Sequence, residues 1–221
     1  MSENDDSLLA RIYGIYSVRM EDQNPVKLVV MGNALQGASK THMLGCFDLK
    51  GSMVNRIVRG TDFSGSTTLK DRNLMNLNGE RIWLRFKGTD IQKINEAMRE
   101  DVKLLQRYNM MDYSVLLCVQ ENPDYAKLQK GSVQAPDRDT LMENFVPNRH
   151  SFISECGKFI YRIGIIDYLQ DFSTHKYLEY FGKVYILQDG RGISCVPPKE
   201  YAARFLRFMR DHVVIDQKQL S

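Results

Sequence analysis

The sequence predicts an α+β domain, and three observations carry that expectation. Strand-like runs rich in β-branched and aromatic residues start near Ile12, Val26, His42, Val115 and Lys158. Two further segments repeat apolar residues at three- and four-residue steps, the mark of a helix with one buried face. The composition, 43% hydrophobic and 26% charged over 221 residues, leaves room for one substantial domain or two lobes sharing a cleft.

From Ser7 to Met31 the chain reads as a hairpin of Ile12–Val18 and Val26–Met31, joined by the turn-forming string Glu21-Asp22-Gln23-Asn24-Pro25. A third strand spans His42 to Leu49, and Gly60 to Gly65 reads as a flexible loop. Asp90–Arg107 is the clearest helix, because Ile91, Ile94, Met98, Val102 and Leu105 form one apolar stripe. Thr89 followed by Gln92 has the form of a capping box, which would satisfy free N–H groups at its start. Val115–Val119 is a short strand. Residues 121–149 carry three prolines and little periodicity, so they read as an insertion loop. Lys158–Ile166 is apolar on both faces, as in a strand deep within a sheet. Pro198 suits the first turn of a final helix, Lys199–Val213, with Tyr201, Phe205, Phe208, Met209 and His212 on its inner side. There is no internal repeat.

No apolar run approaches the ~18 residues needed to cross a bilayer. The first six residues are acidic and polar, the opposite of a secretory signal. Cys46, Cys118, Cys156 and Cys195 are widely spaced without a CxxC, so buried reduced thiols are expected rather than zinc or a disulfide framework. The net charge of +3 is unevenly placed: Lys50 to Arg107 holds twelve Lys/Arg against seven Asp/Glu. A basic stretch can attract nucleic acid or an anionic membrane, although an ordinary solvated surface produces the same count.

Three strings carry chemistry. Asp112 stands in Met110-Met111-Asp112-Tyr113-Ser114-Val115-Leu116-Leu117, and Asp167 in Ile163-Gly164-Ile165-Ile166-Asp167-Tyr168-Leu169. A carboxylate is costly to bury without a partner, so an aspartate at the end of a buried strand caps a turn, pairs with a cation or binds metal and substrate. The third string, Phe47-Asp48-Leu49-Lys50-Gly51-Ser52, sets an acid and a base two apart before a glycine.

In this order the strings resemble the phosphatidylinositol phosphate kinase family, whose hallmarks read close to DLKGS, MDYSLL and IIDIL. Thr68-Leu69-Lys70-Asp71, Val196-Pro197-Pro198, Tyr201, Arg204-Phe205 and Phe208-Met209 match as well, and the resemblance runs from about Leu8 to Val213. It implies a protein-kinase-like, two-lobed fold that uses ATP and Mg²⁺ to phosphorylate a monophosphorylated phosphatidylinositol on its ring. Asp112 would orient the lipid hydroxyl and take its proton; a strand-end cap is the alternative. Asp167 would hold magnesium, kept partly dry by its apolar neighbours, the alternative being a buried ion pair with an arginine such as Arg162. Lys50 would point at phosphate, and Arg56 would grip the head-group phosphate with two donors, with plain surface charge as the alternative for both. Val30-Met31-Gly32-Asn33 resembles the hinge where backbone meets adenine.

Residues 173–192 correspond to the activation or specificity loop. There Lys176-Tyr177-Leu178-Glu179 resembles the KKLE stretch of kinases that phosphorylate the 5-position of a 4-phosphorylated lipid, whereas the 4-kinase branch has alanine in place of Glu179. Tyr177 replaces a lysine, which weakens membrane attraction by roughly 1 kcal/mol. The Asp167-Tyr168 pair also resembles the branch acting on 3-phosphate lipids, and Glu179 does not separate the two. Lys176 and Lys183 would help dock the loop on an anionic surface.

The expected partner is thus a phosphoinositide lipid, at the cytosolic face of a membrane to which a cytoplasmic protein binds peripherally. Nucleic acid is not expected, because no aromatic RNA-binding signature or helix-turn-helix pattern accompanies the basic stretch. The family's Gly-rich loop and its lysine have no counterpart here, so 1–221 reads as a partial kinase domain with a truncated N-lobe. The Ile12–Val18 edge would then be open to a second copy or another covering partner. A non-catalytic lipid- or partner-binding relative, or an inactive fragment, is the competing expectation.

Overall fold

A computed structural model of the chain describes residues 6–60, 67–77, 84–125, 150–172 and 196–215. In chain order the elements begin with the strands β1 (Ile12–Val18), β2 (Val26–Met31), β3 (Met43–Leu49) and β4 (Thr68–Lys70). Helices α1 (Asp71–Asn76) and α2 (Gly88–Arg107) follow, then strands β5 (Met110–Met111) and β6 (Ser114–Glu121). Strands β7 (Ser151–Ile153), β8 (Phe159–Ile166) and β9 (Gln170–Asp171) lead to the last helix, α3 (Pro198–His212).

The centre is a five-stranded sheet in the order β4-β3-β6-β8-β7, antiparallel except for the β3–β4 pair. β6 and β8 are buried at nearly every successive residue, which accounts for apolar runs that do not alternate. The apolar stripe of α2 (Ile91, Ile94, Met98, Val102, Leu105) joins Tyr201, Phe205 and Met209 of α3 in one core with the sheet residues Phe47, Leu117 and Ile163. Burial of that stripe, rather than a capping box, places α2. The helix begins at Gly88 with Lys87 as its cap residue and no side-chain cap bond, and Ile91 N–H already donates to the Lys87 carbonyl at 2.9 Å. Thr89 thus lies inside the first turn, where it cannot cap. α3 starts at Pro198, whose missing N–H costs nothing at a first helical position.

The hairpin forms as expected, with Asp22 at φ 60° in its turn. It is apolar yet exposed, with Tyr13 at 69% and Ile15 at 66% of full exposure. Among the described residues β1 and β2 pair only with each other. Short elements of two to six residues, β4, α1, β5, β7 and β9, carry too few residues for a periodic signal and are absent from the sequence reading. Residues 61–66 and 126–149, most of the loops expected at 60–65 and 121–149, lie outside the described residues.

Two cysteine expectations are corrected. Cys46 and Cys118 are direct partners in the β3–β6 register, 4.2 Å apart at Cα, and form a disulfide rather than two separate thiols. Their 72-residue separation hides the pairing from any local pattern. Cys156 is free, but exposed rather than buried.

Candidate active site

Asp112 and Asp167 occupy matching bends. β6 and β8 run antiparallel with Ser114 opposite Ile166, while β5 and β9 pair with Met111 opposite Gln170. Between these two ladders each chain turns through one aspartate, at φ 62° for Asp112 and φ 60° for Asp167. Aspartate tolerates this left-handed conformation better than most residues with a Cβ, because its short polar side chain bonds locally. Pairing on both sides of the bends brings the two aspartates to one edge of the structure.

Lys50 arrives from the end of β3. Its Nζ lies 3.1 Å from Asp112 Oδ1. The next residue, Gly51, sits at φ 69°, and a Cβ there would lie 3.2 Å from the Arg204 carbonyl oxygen and the Phe205 Cα. Glycine therefore lets the turn rest directly on α3. The same helix reaches the loop of Asp112, because the Tyr201 hydroxyl donates to the Tyr113 carbonyl and the Tyr113 ring meets Tyr201 and Phe205 edge-on at 4.7 and 5.0 Å. Burial pushes the phenols of Tyr113 and Tyr201 upward, and for Tyr201 the nearby Asp112 charge adds to the effect.

Beneath the turn lies a carboxylate that is 0% exposed. Asp71 Oδ1 accepts from the backbone N–H groups of Lys50 (2.9 Å) and Gly51 (2.7 Å), and Oδ2 accepts from Arg56 Nε at 2.7 Å. The other Arg56 nitrogens reach Asp48, one donating to its carbonyl at 2.5 Å and the second to Oδ2 at 3.5 Å. Burial works against the Arg56 charge, and the Asp71 and Asp48 carboxylates outweigh it, so its pKa is raised. This corrects the expectation for Arg56: the two-pronged grip foreseen for a lipid phosphate is made inside the protein, with Asp71 and Asp48. The register of β3 against β4, which sets Asp48 opposite Lys70, delivers Asp71 to this position. Asn73 braces the same corner, accepting from Lys70 and Val58 N–H groups and donating to the Val58 carbonyl.

The segment expected as a hinge is linked to β8 through backbone bonds. Met31 pairs with Ile12, Gly32 N–H donates to the Arg11 carbonyl at 2.6 Å, and Ala10 N–H donates to the Ile165 carbonyl at 2.9 Å, two residues before Asp167. A Cβ on Gly164 would lie 2.6 Å from the Ala34 Cβ, so glycine is required where the chain after β2 crosses β8. Met31 is thus joined to β8 through Ile12, Arg11 and Ala10.

Asp167 itself is exposed, not partly dry. Arg162 does not pair with it: its Nε and one terminal nitrogen donate to the Gln36 and Gly37 carbonyls at 3.1 and 2.7 Å. Asp167 makes no ion pair among the described residues, which leaves its carboxylate oxygens as hard donors. Among the described residues no cluster of three or more His, Cys, Asp or Glu could hold a metal by itself. Magnesium bound through one or two carboxylates and the phosphates of a nucleotide does not require such a cluster. Lys176, Glu179 and Lys183 lie outside the described residues.

Sequence reasoning missed Asp71 and Arg204, naming both only as motif flanks. The Arg204 guanidinium lies 5.0 Å from the Tyr201 ring, and burial lowers its pKa while Tyr201, Asp71 and Asp112 hold it up. The one available signal was a charge set beside apolar residues in Leu69-Lys70-Asp71 and Arg204-Phe205-Leu206. A surface groove lined by Ile91, Glu96, Arg99, Glu100 and Arg210 shares no residue with the site, and its mixed charges favour no ligand of one sign.

Comparison with known proteins shows the family. The family model described as phosphatidylinositol-4-phosphate 5-kinase matches residues 1–212. A phosphatidylinositol 4-phosphate 5-kinase of Plasmodium falciparum is 27% identical over 96% of this chain and 13% of its own length. The rat type-1 beta enzyme of that name is 29% identical over 96% of this chain and 44% of its own, and the human type-1 alpha enzyme 28% identical over 95% and 41%. This chain therefore spans less than half the length of these curated relatives. With a family match over nearly all its residues, the chain belongs to the phosphatidylinositol-4-phosphate 5-kinase family.

Proposed function

We propose that the protein works as an ATP- and Mg²⁺-dependent lipid kinase that phosphorylates the 5-position of phosphatidylinositol 4-phosphate. The observation that carries this reading is the contact of Lys50 Nζ with Asp112 Oδ1 in a bend matched by that of Asp167. Phosphoryl transfer needs a positioned acceptor hydroxyl, cationic help and a metal on the phosphates, with little covalent work by the protein. Asp112 accepts the hydroxyl proton as the ring oxygen attacks. Lys50, beside it, orients Asp112 and offers its charge to a phosphate oxygen. Asp167 would hold Mg²⁺, which supplies charge neutralisation on the nucleotide phosphates when bound. The backbone of Val30 and Met31 would receive the adenine. Lys176 and Lys183 would draw the protein to anionic lipid, peripherally at the cytosolic membrane face, and a second copy or another partner would cover the β1–β2 hairpin.

Glu179 would select the ring position, because a carboxylate accepts hydrogen bonds from hydroxyls and repels a phosphate. The test is phosphate transfer from labelled ATP to vesicles carrying each monophosphorylated phosphatidylinositol, by a form of the protein that carries the family's Gly-rich loop and lysine, with Asp112→Asn as control. Transfer confined to the 4-phosphate lipid and dependent on Asp112 supports the reading. Transfer unaffected by Asp112→Asn overturns it. Identical lipid preference in Glu179→Ala removes that residue from the selection.

A further inference from the structure

We infer that Asp71 is the positioning residue of the site: through the Lys50–Gly51 turn it sets the Lys50 ammonium on Asp112. Its importance for turnover rests on the phosphotransfer reading above; its geometry does not.

The turn is held from two sides by this one carboxylate. Oδ1 takes both successive N–H groups, Lys50 and Gly51, and Oδ2 takes Arg56, which in turn holds the Asp48 carbonyl and carboxylate. Every residue from Asp48 to Gly51 except Leu49 is thus tied directly or through Arg56 to Asp71, and Leu49 is itself fully buried. Charge-assisted bonds to a carboxylate are shorter and stronger than neutral ones, so the turn has little freedom to move. The position of Lys50 Nζ follows from that of its backbone, because a lysine stem is flexible and is directed by where it starts and by the charge it meets. The far side of the turn is closed by α3 against Gly51. Asp71 stands at the start of α1, immediately after β4, so its own place is set by the sheet and not by any ligand.

The experiment reads Lys50 directly in the 221-residue protein. Acylation of Lys50 by an amine-reactive reagent is followed by peptide mass spectrometry, with exposed Lys103 as internal control. Asp112→Asn, which frees the ammonium, should speed Lys50 labelling at least about fivefold relative to Lys103. Asp71→Asn should match that increase, and the double variant should label no faster than either single one, because both act on one contact. A merely structural role would act on Lys50 independently of Asp112, and the two changes would add. Wild-type labelling of Lys50 in a folded Asp71→Asn protein overturns the inference.

If Asp71→Asn fails to fold, Asp71→Asn with Arg56→Gln removes both charges together and takes its place. Hydrogen exchange of the unaltered protein provides a check free of variants: the Lys50 and Gly51 amides should be as protected as those of β3, and rapid exchange there rules the clamp out. None of these readouts needs turnover. Coupled labelling without phosphotransfer keeps the positioning role and removes the kinase reading; phosphotransfer without coupling does the reverse.

Discussion

Asp112 and Asp167 share one backbone conformation, left-handed at φ 62° and φ 60°, where their chains leave the central sheet for the β5–β9 ladder. Asparagine also tolerates that conformation, so Asp→Asn at either position removes the charge and spares the bend. In a form of the protein that carries the family's Gly-rich loop and lysine, Asp112→Asn and Asp167→Asn should each lower lipid-kinase turnover at least ~10²-fold, through loss of the proton acceptor or the metal ligand. Steady-state assays on phosphatidylinositol 4-phosphate vesicles, with thermal melting as a fold control, check this. Turnover within a fewfold of wild type in both variants would remove the site assignment.

Arg56 is the cation for a carboxylate with no access to water. Arg56→Gln leaves Asp71 buried with an uncompensated charge, which costs about 3–5 kcal/mol. Urea unfolding should show that loss. Near-wild-type stability combined with weakened binding to phosphoinositide vesicles would instead return Arg56 to the lipid head group.

Gly51→Ala should destabilise the protein by about 1–3 kcal/mol, because the added methyl meets both a left-handed backbone and the α3 main chain 3.2 Å away. The same unfolding experiment measures it. An unchanged midpoint would mean that α3 does not rest on the turn.

Alkaline pH should unfold the chain through its buried tyrosines. Burial raises the phenol pKa of Tyr113, Tyr161 and Tyr201 above the ordinary 10.0 in the folded state. The folded protein thus holds these protons more tightly than the unfolded chain. Their stabilising contribution is complete below about pH 10 and is lost as pH rises above it, at roughly 1.4 kcal/mol per pH unit for each tyrosine. Urea midpoints at pH 9 and pH 11, read alongside tyrosinate absorbance, should show a steep fall. Ionisation of all tyrosines without loss of structure contradicts the burial.

The longer elements were legible because each repeats its signal: β6 and β8 as unbroken apolar runs, α2 as a stripe at helical spacing, the hairpin as two strands around an Asn-Pro turn. Asp112 and Asp167 were legible as carboxylates at the ends of such runs. Asp71 was not, because its partners lie fifteen to twenty-one residues away and are chosen by the parallel β3–β4 pairing. Arg56 was misdirected for the same reason: a side chain's target is a matter of tertiary geometry, and the string that contains it reads equally well facing in or out. The Cys46–Cys118 pair depended on sheet register, which no spacing in the sequence encodes.

The segment at Leu8–Ala10 is fastened to parts of the chain made much later. Asp101 on α2 accepts from Ser7 and the Leu8 N–H, Ala10 bonds to Ile165, and the Tyr168 hydroxyl donates to the Ala10 carbonyl across 158 residues. Contacts of such separation close a large loop before they return any stabilisation, and they form late. During synthesis Leu8–Ala10 emerges well before β8 and cannot dock until β8 has left the ribosome. Until then Leu8 and Ala10, both buried in the folded protein, stand in water, and in that interval a nascent chain of this kind has need of a chaperone.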